Sequence, residues 1–139
     1  MSSILYITQI HIEPGAIQRL AEECARHHIT RPLIVTDAGI KAAGLLSLAL
    51  DALPGVACTV YDGTPSNPTE ASVRAATQLC LDHQCDGLIA LGGGSSMDCA
   101  KGVAIAATHP GPLKTYATIE GGSPKITSAV APLIAVPTT

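Results

Sequence analysis

The sequence contains neither phenylalanine nor tryptophan, and its aromatic side chains are those of three tyrosines. A core without large rings must be built from small and branched aliphatic side chains, as in strands buried between helices. The same shortage removes the stacking surfaces on which many proteins bind single-stranded nucleic acid. Because the net charge is −3 and no Lys/Arg cluster occurs, we expect no nucleic-acid partner.

Long apolar runs are also missing. No run reaches the roughly 18 residues that a membrane-spanning helix requires, and the N-terminus lacks the basic and then apolar order of a signal peptide. We therefore expect a cytoplasmic protein without a membrane partner. The five cysteines lie at irregular spacings, which favours buried, reduced thiols, and the spacing of Cys80 and Cys85 is not that of a zinc site.

What remains is a chain with the composition of one globular domain. Its 139 residues are 47% hydrophobic and 14% charged, which suits a single buried core. Apolar runs near residues 4, 33, 56, 87 and 133 predict strands, and helical patterns lie between most of them. This alternation predicts an α/β fold with a Rossmann-like, mostly parallel sheet and helices on both faces.

The helical patterns are bounded by capping and breaking residues. Pro14 is predicted at the first position of the first helix. The second helix is predicted from Ile40 to Leu53 and the third from Thr69 to His83. For the third helix, Asn67 is the predicted N-cap residue, and Leu81 is predicted to be buried.

The most distinctive stretch is a buried strand that ends in Gly92, Gly93 and Gly94 and restarts as a helix. Glycines let the backbone turn tightly and approach a ligand closely. The free N–H groups at the start of the helix, with the positive end of its dipole, favour a phosphate there. The alternative is a plain strand-to-helix connection in which Ser95 is the N-cap residue and Asp98 closes a capping box.

Other polar residues are expected at the same edge of the sheet. Asp37 and Asn67 follow predicted strands, and Thr138 and Thr139 follow the last one. Ligands of open parallel sheets bind outside the carboxyl ends of the strands, so these positions together predict a nucleotide site. For Asp37 two interpretations remain open: an N-cap for the next helix, or a carboxylate that accepts hydrogen bonds from an adenosine ribose.

Four patches of the sequence resemble the iron-containing (group III) alcohol dehydrogenases. The segment from Gly92 to Lys101 matches that family's Gly-Gly-Gly-Ser-x-x-Asp-x-Ala-Lys signature. The other patches are residues 35–39, 62–69 and 132–139, in the same order. The resemblance implies that residues 1–139 form an N-terminal NAD(P)-binding domain, and that a helical domain with the metal ligands lies beyond them.

The same resemblance implies roles for residues of the predicted site. The loop Gly92–Ser95, with Gly93 and Gly94 inside it, would hold the cofactor's pyrophosphate and Asp37 its adenosine ribose. Thr138 and Thr139 would face the cofactor's inner side. A carboxylate at position 37 repels a 2′-phosphate, which implies NAD rather than NADP, although Lys41 one turn further on would favour NADP.

For the remaining matched residues the implied roles are less definite. Asn67 would border the cofactor, whereas Asp98 and Lys101 match the signature without an assigned role. The whole enzyme would be a homo-oligomer that transfers hydride between a small alcohol or aldehyde and the nicotinamide, with Fe²⁺ or Zn²⁺ polarising the substrate oxygen. Alternatives are a maleylacetate reductase, a glycerol dehydrogenase-like or dehydroquinate synthase-like relative, and a free-standing nucleotide-binding domain.

The chain itself does not predict a catalytic metal site. Such a site needs three or four ligands around an open position. The five histidines, at positions 11, 27, 28, 83 and 109, include no pair at the i, i+4 spacing that places two ligands on one helix face. We therefore predict no catalytic and no metal-ligating residue within residues 1–139, and expect this chain alone to be inactive.

Overall fold

The computed structural model of the chain describes residues 9–111, 126–127 and 129–138. Within these residues four parallel strands form one sheet in the order β2-β1-β3-β4; the strands are β1 Pro32–Val35, β2 Thr59–Tyr61, β3 Gly87–Gly92 and β4 Leu133–Pro137. The parallel α/β fold predicted from the sequence is confirmed. The strand predicted near residue 4 lies outside the described part of the chain, as does Thr139.

Helices cover both faces of this sheet. They are a 3-10 helix at Ala16–Arg19 followed by α1 Leu20–Arg26, α2 Ala38–Ala42, α3 Leu45–Asp51, α4 Glu70–Asp82 and α5 Gly94–Ala106. Helices α4 and α5 pack on one face, and α1 and α3 pack on the other. No helix in the described ranges is long and apolar enough to cross a membrane.

The two central strands are apolar because both of their faces are covered. Every residue of β1 and β3 is buried. Side chains alternate between the faces, so that Leu33 and Val35 belong to the cluster with α4 and α5, whereas Ile34 belongs to the cluster with α1 and α3. Burying one such side chain stabilises the fold by about 1.5–3 kcal/mol. Branched aliphatic residues thus form the core that the absence of large rings predicts.

The prediction of one continuous helix from Ile40 to Leu53 is wrong. The chain is broken at Gly44, which has φ 83° and lies between α2 and α3. Its N–H donates to the Lys41 carbonyl at 3.1 Å, as expected for a left-handed glycine at a helix end. The apolar period continues across the break, since Leu46 and Ala49 are buried, and therefore did not reveal it.

The start of α4 also differs from the prediction. Thr69, and not Asn67, is the N-cap residue. The Thr69 hydroxyl accepts from the Ser72 N–H at 3.1 Å, and the Ser72 hydroxyl accepts from the Thr69 N–H at 3.0 Å. This reciprocal pair is a capping box with serine in the place of Glu or Gln. Near the other end, Leu81 is 54% exposed because Cys80 occupies the core face there, so its predicted burial is wrong.

Helices α1 and α4 end in the same backbone motif. Each end has a left-handed residue that is not glycine, His28 with φ 58° and Gln84 with φ 53°. The Ile29 N–H donates to the Cys24 carbonyl at 2.8 Å, and the Cys85 N–H donates to the Cys80 carbonyl at 2.9 Å. These bonds define the Schellman motif, which turns each helix directly toward a central strand.

Asp86 joins these two connections at the amino edge of the sheet. Its carboxylate accepts from the N–H groups of Thr30 and Arg31, at 3.0 and 2.8 Å, and from the Thr30 hydroxyl at 2.6 Å. Burial alone would raise the pKa of Asp86, but the hydrogen bonds from Thr30 and Arg31 outweigh it and lower the pKa. Because these residues directly precede β1 and β3, the contacts help to set the register of the central strands.

Candidate functional site

Several of the predicted site residues lie close together at the carboxyl edge of the sheet. β3 ends at Gly92, whose carbonyl accepts from the Thr138 N–H at 3.0 Å, so the chain after β4 lies against the glycine run. The Ser95 hydroxyl donates to the Ser66 carbonyl, which brings the loop before α4 to the start of α5. We call these residues the carboxyl-edge cluster: Asp37, Ser66, Asn67, Gly92–Ser95 and Thr138.

Within this cluster, Gly92 is fixed by the protein's own packing. It is buried and has φ 148°, a conformation that residues with side chains rarely adopt. A Cβ atom at this position would lie 2.7 Å from the Ser96 Oγ and 3.1 Å from the Ser96 Cβ. Ser96 is itself fully buried, so it has little room to move. The turn alone explains Gly92.

Gly94 has no such internal reason. A Cβ atom there would meet no heavy atom within 4 Å, and Gly94 is the exposed first residue of α5. The first helical hydrogen bond of α5 runs from the Met97 N–H to the Gly93 carbonyl at 3.2 Å. The N–H groups of Gly94, Ser95 and Ser96 therefore have no helical partner. An unobstructed helix start of this kind suits a phosphate.

The start of α5 also lacks a side-chain cap. Asp37 caps α2 and Thr69 caps α4, but Gly93 precedes α5 and has no side chain to contribute. The alternative in which Ser95 is the N-cap residue and Asp98 closes a capping box is wrong, because Ser95 already lies inside the first turn. The positive end of the helix dipole is left to solvent or to an anion.

Asp37 is the N-cap residue of α2, as one of its two interpretations predicts. Its Oδ1 accepts from the Ile40 N–H at 2.8 Å. A carboxylate has two oxygens and about four acceptor positions, so the cap leaves capacity for ribose hydroxyls. A Cβ atom at Gly39 would lie 3.3 Å from the same Oδ1. The missing side chain at Gly39 therefore keeps the space around the Asp37 carboxylate open.

Lys41, one turn further along α2, is engaged by another carboxylate. Its Nζ lies 2.9 Å from the Asp62 Oδ2, and both side chains are largely exposed. The hydrogen bond from Lys41 lowers the pKa of Asp62. A 2′-phosphate beside Asp37 would therefore have to compete with Asp62 for this ammonium group.

Two fully buried hydroxyls, those of Thr36 and Ser96, also lie at this edge. Thr36 follows β1 and Ser96 packs below Gly92; both residues are 0% exposed, and neither Oγ has a hydrogen-bond partner among the residues described. Buried hydroxyls usually have a partner. A helical period could have identified Ser96, which lies three and four residues before the buried Cys99 and Ala100.

The other predicted site residues lie at the surface. Asp98 and Lys101 are exposed on α5, and Asn67 is exposed in the turn before α4. Asn67 is brought near the glycine run only through its neighbour Ser66, whose carbonyl contacts Ser95. Among the described residues, the side chains of Asp98 and Lys101 form no hydrogen bond or ion pair with the carboxyl-edge cluster.

Acidic and imidazole side chains meet at one place outside this cluster. The Glu23 Oε1 lies 2.9 Å from the His11 Nε2, and its Oε2 lies 3.7 Å from the His27 Nε2. The hydrogen bond from His11 lowers the pKa of Glu23. The two imidazoles contact different oxygens of the Glu23 carboxylate, so the three side chains do not surround a common point. Within the described residues no group of three His, Cys, Asp or Glu side chains is arranged to hold a metal ion.

A sequence model of the iron-containing alcohol dehydrogenases matches residues 8–139. The chain belongs to this family. Among its relatives, the 4-hydroxybutyrate dehydrogenase of Cupriavidus necator is 58% identical over 139 residues, which are 100% of this chain and 36% of that protein. The 1,3-propanediol dehydrogenase of Citrobacter freundii is 38% identical over 130 residues, which are 91% of this chain and 33% of that protein.

Solved structures of the family share the fold. A crystal structure of 1,3-propanediol oxidoreductase matches with a TM-score of 0.82 and 36% identity, over 91% of this chain and 33% of that one. The sulfoacetaldehyde reductase of Bifidobacterium kashiwanohense, solved in complex with NAD+, matches with a TM-score of 0.77 and 25% identity, over 90% and 32%. The chain thus spans about a third of the length of the relatives it matches.

Proposed function

We propose that this chain binds the dinucleotide of a nicotinamide-dependent dehydrogenase, with the cofactor's pyrophosphate at the start of α5. The observation that carries the proposal is the open space at Gly94, where the protein has a glycine that its own packing does not require. The uncapped N–H groups behind it are the donors that a pyrophosphate accepts from. A family member solved with NAD+ has the same fold, which supports the assignment.

The other residues of the carboxyl-edge cluster complete the site in this proposal. Asp37 accepts from the adenosine ribose with the capacity that its cap to α2 leaves unused. Thr138, held against Gly92, and Thr139 beyond it face the cofactor's inner side. Asn67 borders the cofactor from the loop that Ser66 joins to α5.

NAD is proposed as the preferred cofactor, with NADP disfavoured. The Asp37 carboxylate repels a 2′-phosphate. The cation nearest to it on α2, Lys41, is already paired with Asp62 at 2.9 Å, and that pair must break before Lys41 can compensate. The repulsion by Asp37 and the pairing of Lys41 therefore both favour NAD over NADP.

For the whole protein we propose oxidation of a small alcohol, or reduction of the corresponding aldehyde, and 4-hydroxybutyrate is the first substrate to test because of the 58% identical relative. The bound nicotinamide would supply the hydride-transfer chemistry. An iron or zinc ion does not fit the described residues, which offer no group of three ligands. We therefore propose that ligands for such an ion come from outside them and derive no step through a metal.

Calorimetric titration of the 139-residue chain tests the cofactor assignment. NAD and ADP-ribose are expected to bind with similar affinity, because Asp37 and the start of α5 recognise the adenosine and pyrophosphate parts. Nicotinamide mononucleotide, which lacks both, is expected to bind much more weakly. If none of the three ligands binds at millimolar concentration, or if the mononucleotide binds as tightly as NAD, the assignment is wrong.

The same preparation tests the division of labour within the enzyme. With NAD, 4-hydroxybutyrate and added iron(II) or zinc, we expect cofactor binding without NADH formation, since the described residues bring no metal ligands together. NADH absorbance is followed against a protein-free blank. Sustained turnover above that blank would contradict the assignment of this chain as a cofactor-binding part alone.

A further inference from the structure

Four of the five cysteines lie at the amino edge of the sheet, opposite the carboxyl-edge cluster. Two of them, Cys80 and Cys85, occupy the two ends of the Schellman motif that closes α4. The Cys85 N–H donates to the Cys80 carbonyl at 2.9 Å, and the Cys80 Sγ lies 3.9 Å from the Cys85 carbonyl oxygen. The Cys80 thiol is thus folded back over the residue that carries the second thiol.

The backbone holds this pair in place. Gln84 keeps its left-handed conformation with φ 53°, and its N–H donates to the Leu81 carbonyl at 3.2 Å. Asp86, next to Cys85, is anchored by hydrogen bonds from the connection that precedes β1. Disulfide-bonded residues need Cα atoms about 4.4–6.8 Å apart, and the two positions bonded across a Schellman motif lie side by side. Bond formation then needs side-chain rotation and no change of fold.

We propose that Cys80 and Cys85 form a redox dithiol that closes to an intramolecular disulfide when the protein meets hydrogen peroxide. The Cys85 thiolate attacks the peroxide, so that an S–O bond forms, the O–O bond breaks and hydroxide leaves. The Cys80 thiolate then attacks the Cys85 sulfur; the S–S bond forms and the S–O bond breaks. The two thiols lose two electrons and two protons, and one peroxide becomes two waters.

Burial assigns a different role to each thiol. Cys85 is half-buried, whereas Cys80 is 4% exposed. Burial, and then the neighbouring Cys85 thiol, raise the pKa of Cys80 to about 11. Peroxide therefore reacts first at Cys85, and Cys80 is the resolving thiol. Since the thiolate fraction of Cys80 grows about tenfold for each pH unit below its pKa, closure is expected to accelerate with pH.

Cys58 is the competing partner for Cys85. It lies close enough that, after burial, the Cys85 thiol helps to raise the pKa of Cys58. Cys58, however, precedes β2 and has no backbone bond to Cys85 among the described contacts, whereas Cys80 does. The fixed geometry favours the Cys80–Cys85 bond, which joins the end of α4 to the start of β3 and protects Cys85 from irreversible oxidation.

The test uses the reduced 139-residue chain with a small excess of hydrogen peroxide. Thiol titration in denaturant is expected to lose two of the five thiols, and the intact mass to fall by two hydrogens. Cleavage before Asp82 and Asp86 under non-reducing conditions separates the two cysteines unless they are linked, so the linked peptide identifies the bond. A disulfide that contains Cys58, a dimer linked between chains, or Cys85 sulfinic acid beside reduced Cys80 would overturn the proposal.

Variants separate the two steps. Cys80→Ser is expected to stop at Cys85 sulfenic acid, which dimedone traps, and Cys85→Ser is expected to react with peroxide at least tenfold more slowly. Cys99→Ser is the matched control, because Cys99 is buried in α5 away from this edge, and it is expected to form the same bond as the parent. Far-UV circular dichroism checks that each variant is folded. Absence of trapped sulfenic acid in folded Cys80→Ser would contradict the assigned order.

Discussion

Replacing Gly94 by alanine is expected to weaken NAD binding and to leave the fold intact. The new methyl group would meet no protein atom within 4 Å, so no packing is disturbed. Alanine also has a higher helix propensity than glycine, by up to about 1 kcal/mol inside a helix. The free energy of unfolding is therefore expected to stay the same or to rise slightly.

The expected effect on NAD binding has a separate cause, which is the contact of the new methyl group with the cofactor. In the proposed site the methyl group would stand where the pyrophosphate approaches the N–H groups of Gly94 and Ser95. Hydrogen bonds to charged groups contribute about 1.5–3 kcal/mol each, and about 1.4 kcal/mol is a factor of ten in affinity. Weakening one such bond therefore raises the Kd for NAD about tenfold or more. Gly94→Val, with a larger side chain, is expected to raise it further.

Gly92→Ala is the matched comparison, because the same methyl group is added two residues earlier. It places a side chain at φ 148°, which costs about 1–3 kcal/mol in backbone strain. The contact with Ser96 at 2.7 Å adds a packing cost of about the same size. Urea unfolding followed by circular dichroism is thus expected to show a clear loss of stability for Gly92→Ala and none for Gly94→Ala.

NAD affinity and stability are both measured for the two variants. Calorimetric titration with NAD is performed on each variant that remains folded. If Gly94→Ala binds NAD as tightly as the parent, the glycine run is a plain turn and the phosphate assignment is refuted. If Gly92→Ala is as stable as the parent, the internal reason given for that glycine is refuted as well.

Substitutions at four further positions test other parts of the structure. Asp37→Gly is expected to reduce the ratio of NAD affinity to NADP affinity, and as an N-cap change it costs only a few tenths of a kcal/mol in stability. Adding Asp62→Asn to this variant is expected to improve NADP binding further, because it releases Lys41. If the parent already prefers NADP, the assignment of Asp37 to the ribose is refuted. Thr69→Ala is expected to lower the free energy of unfolding by about 1 kcal/mol, with Thr69→Ser as the control that keeps the cap. The pKa of Asp86 is lowered in the folded state, so the ionised carboxylate stabilises the fold. This stabilisation is complete above the ordinary pKa of 3.8 and is lost as the pH falls through the lower pKa of the folded state. Acid unfolding curves of the parent and Asp86→Asn are therefore expected to converge toward low pH, and curves that stay a constant distance apart would contradict the pairing.

The strands and the shared edge at which they end could be predicted because they depend on local patterns. β1 and β3 are continuous apolar runs, which indicate burial on both faces. The glycine run marks where the chain turns into α5, but the sequence does not show that Gly92 and Gly94 are glycines for different physical reasons. Only the atoms around each position show that packing requires a glycine at Gly92 and does not require one at Gly94.

What the sequence did not predict depends on backbone conformation and on tertiary contacts. The left-handed residues His28 and Gln84 are not glycines, so no local signal marks their backbone conformation, although the end of α4 at His83 was predicted. Gly87 likewise looks like an ordinary turn residue, yet a Cβ atom there would lie 2.5 Å from the Ile29 Cγ1. Only the packed structure shows that this glycine makes room for the neighbouring connection.

The register of the sheet also governs how the chain can fold. β1 pairs with β3 through Leu33 and Leu88, and β3 pairs with β4 through Ile89 and Ile134, so both central pairings join residues far apart in the chain. Such contacts stabilise the fold only after a long loop has been closed at a cost in chain entropy. Folding is therefore slow compared with that of helical bundles. During synthesis β1 emerges long before its central partner. Until β3 has been made, the apolar faces and unpaired edge of β1 are open to wrong partners, and folding of this domain is therefore expected to depend on how quickly residues 87–92 follow.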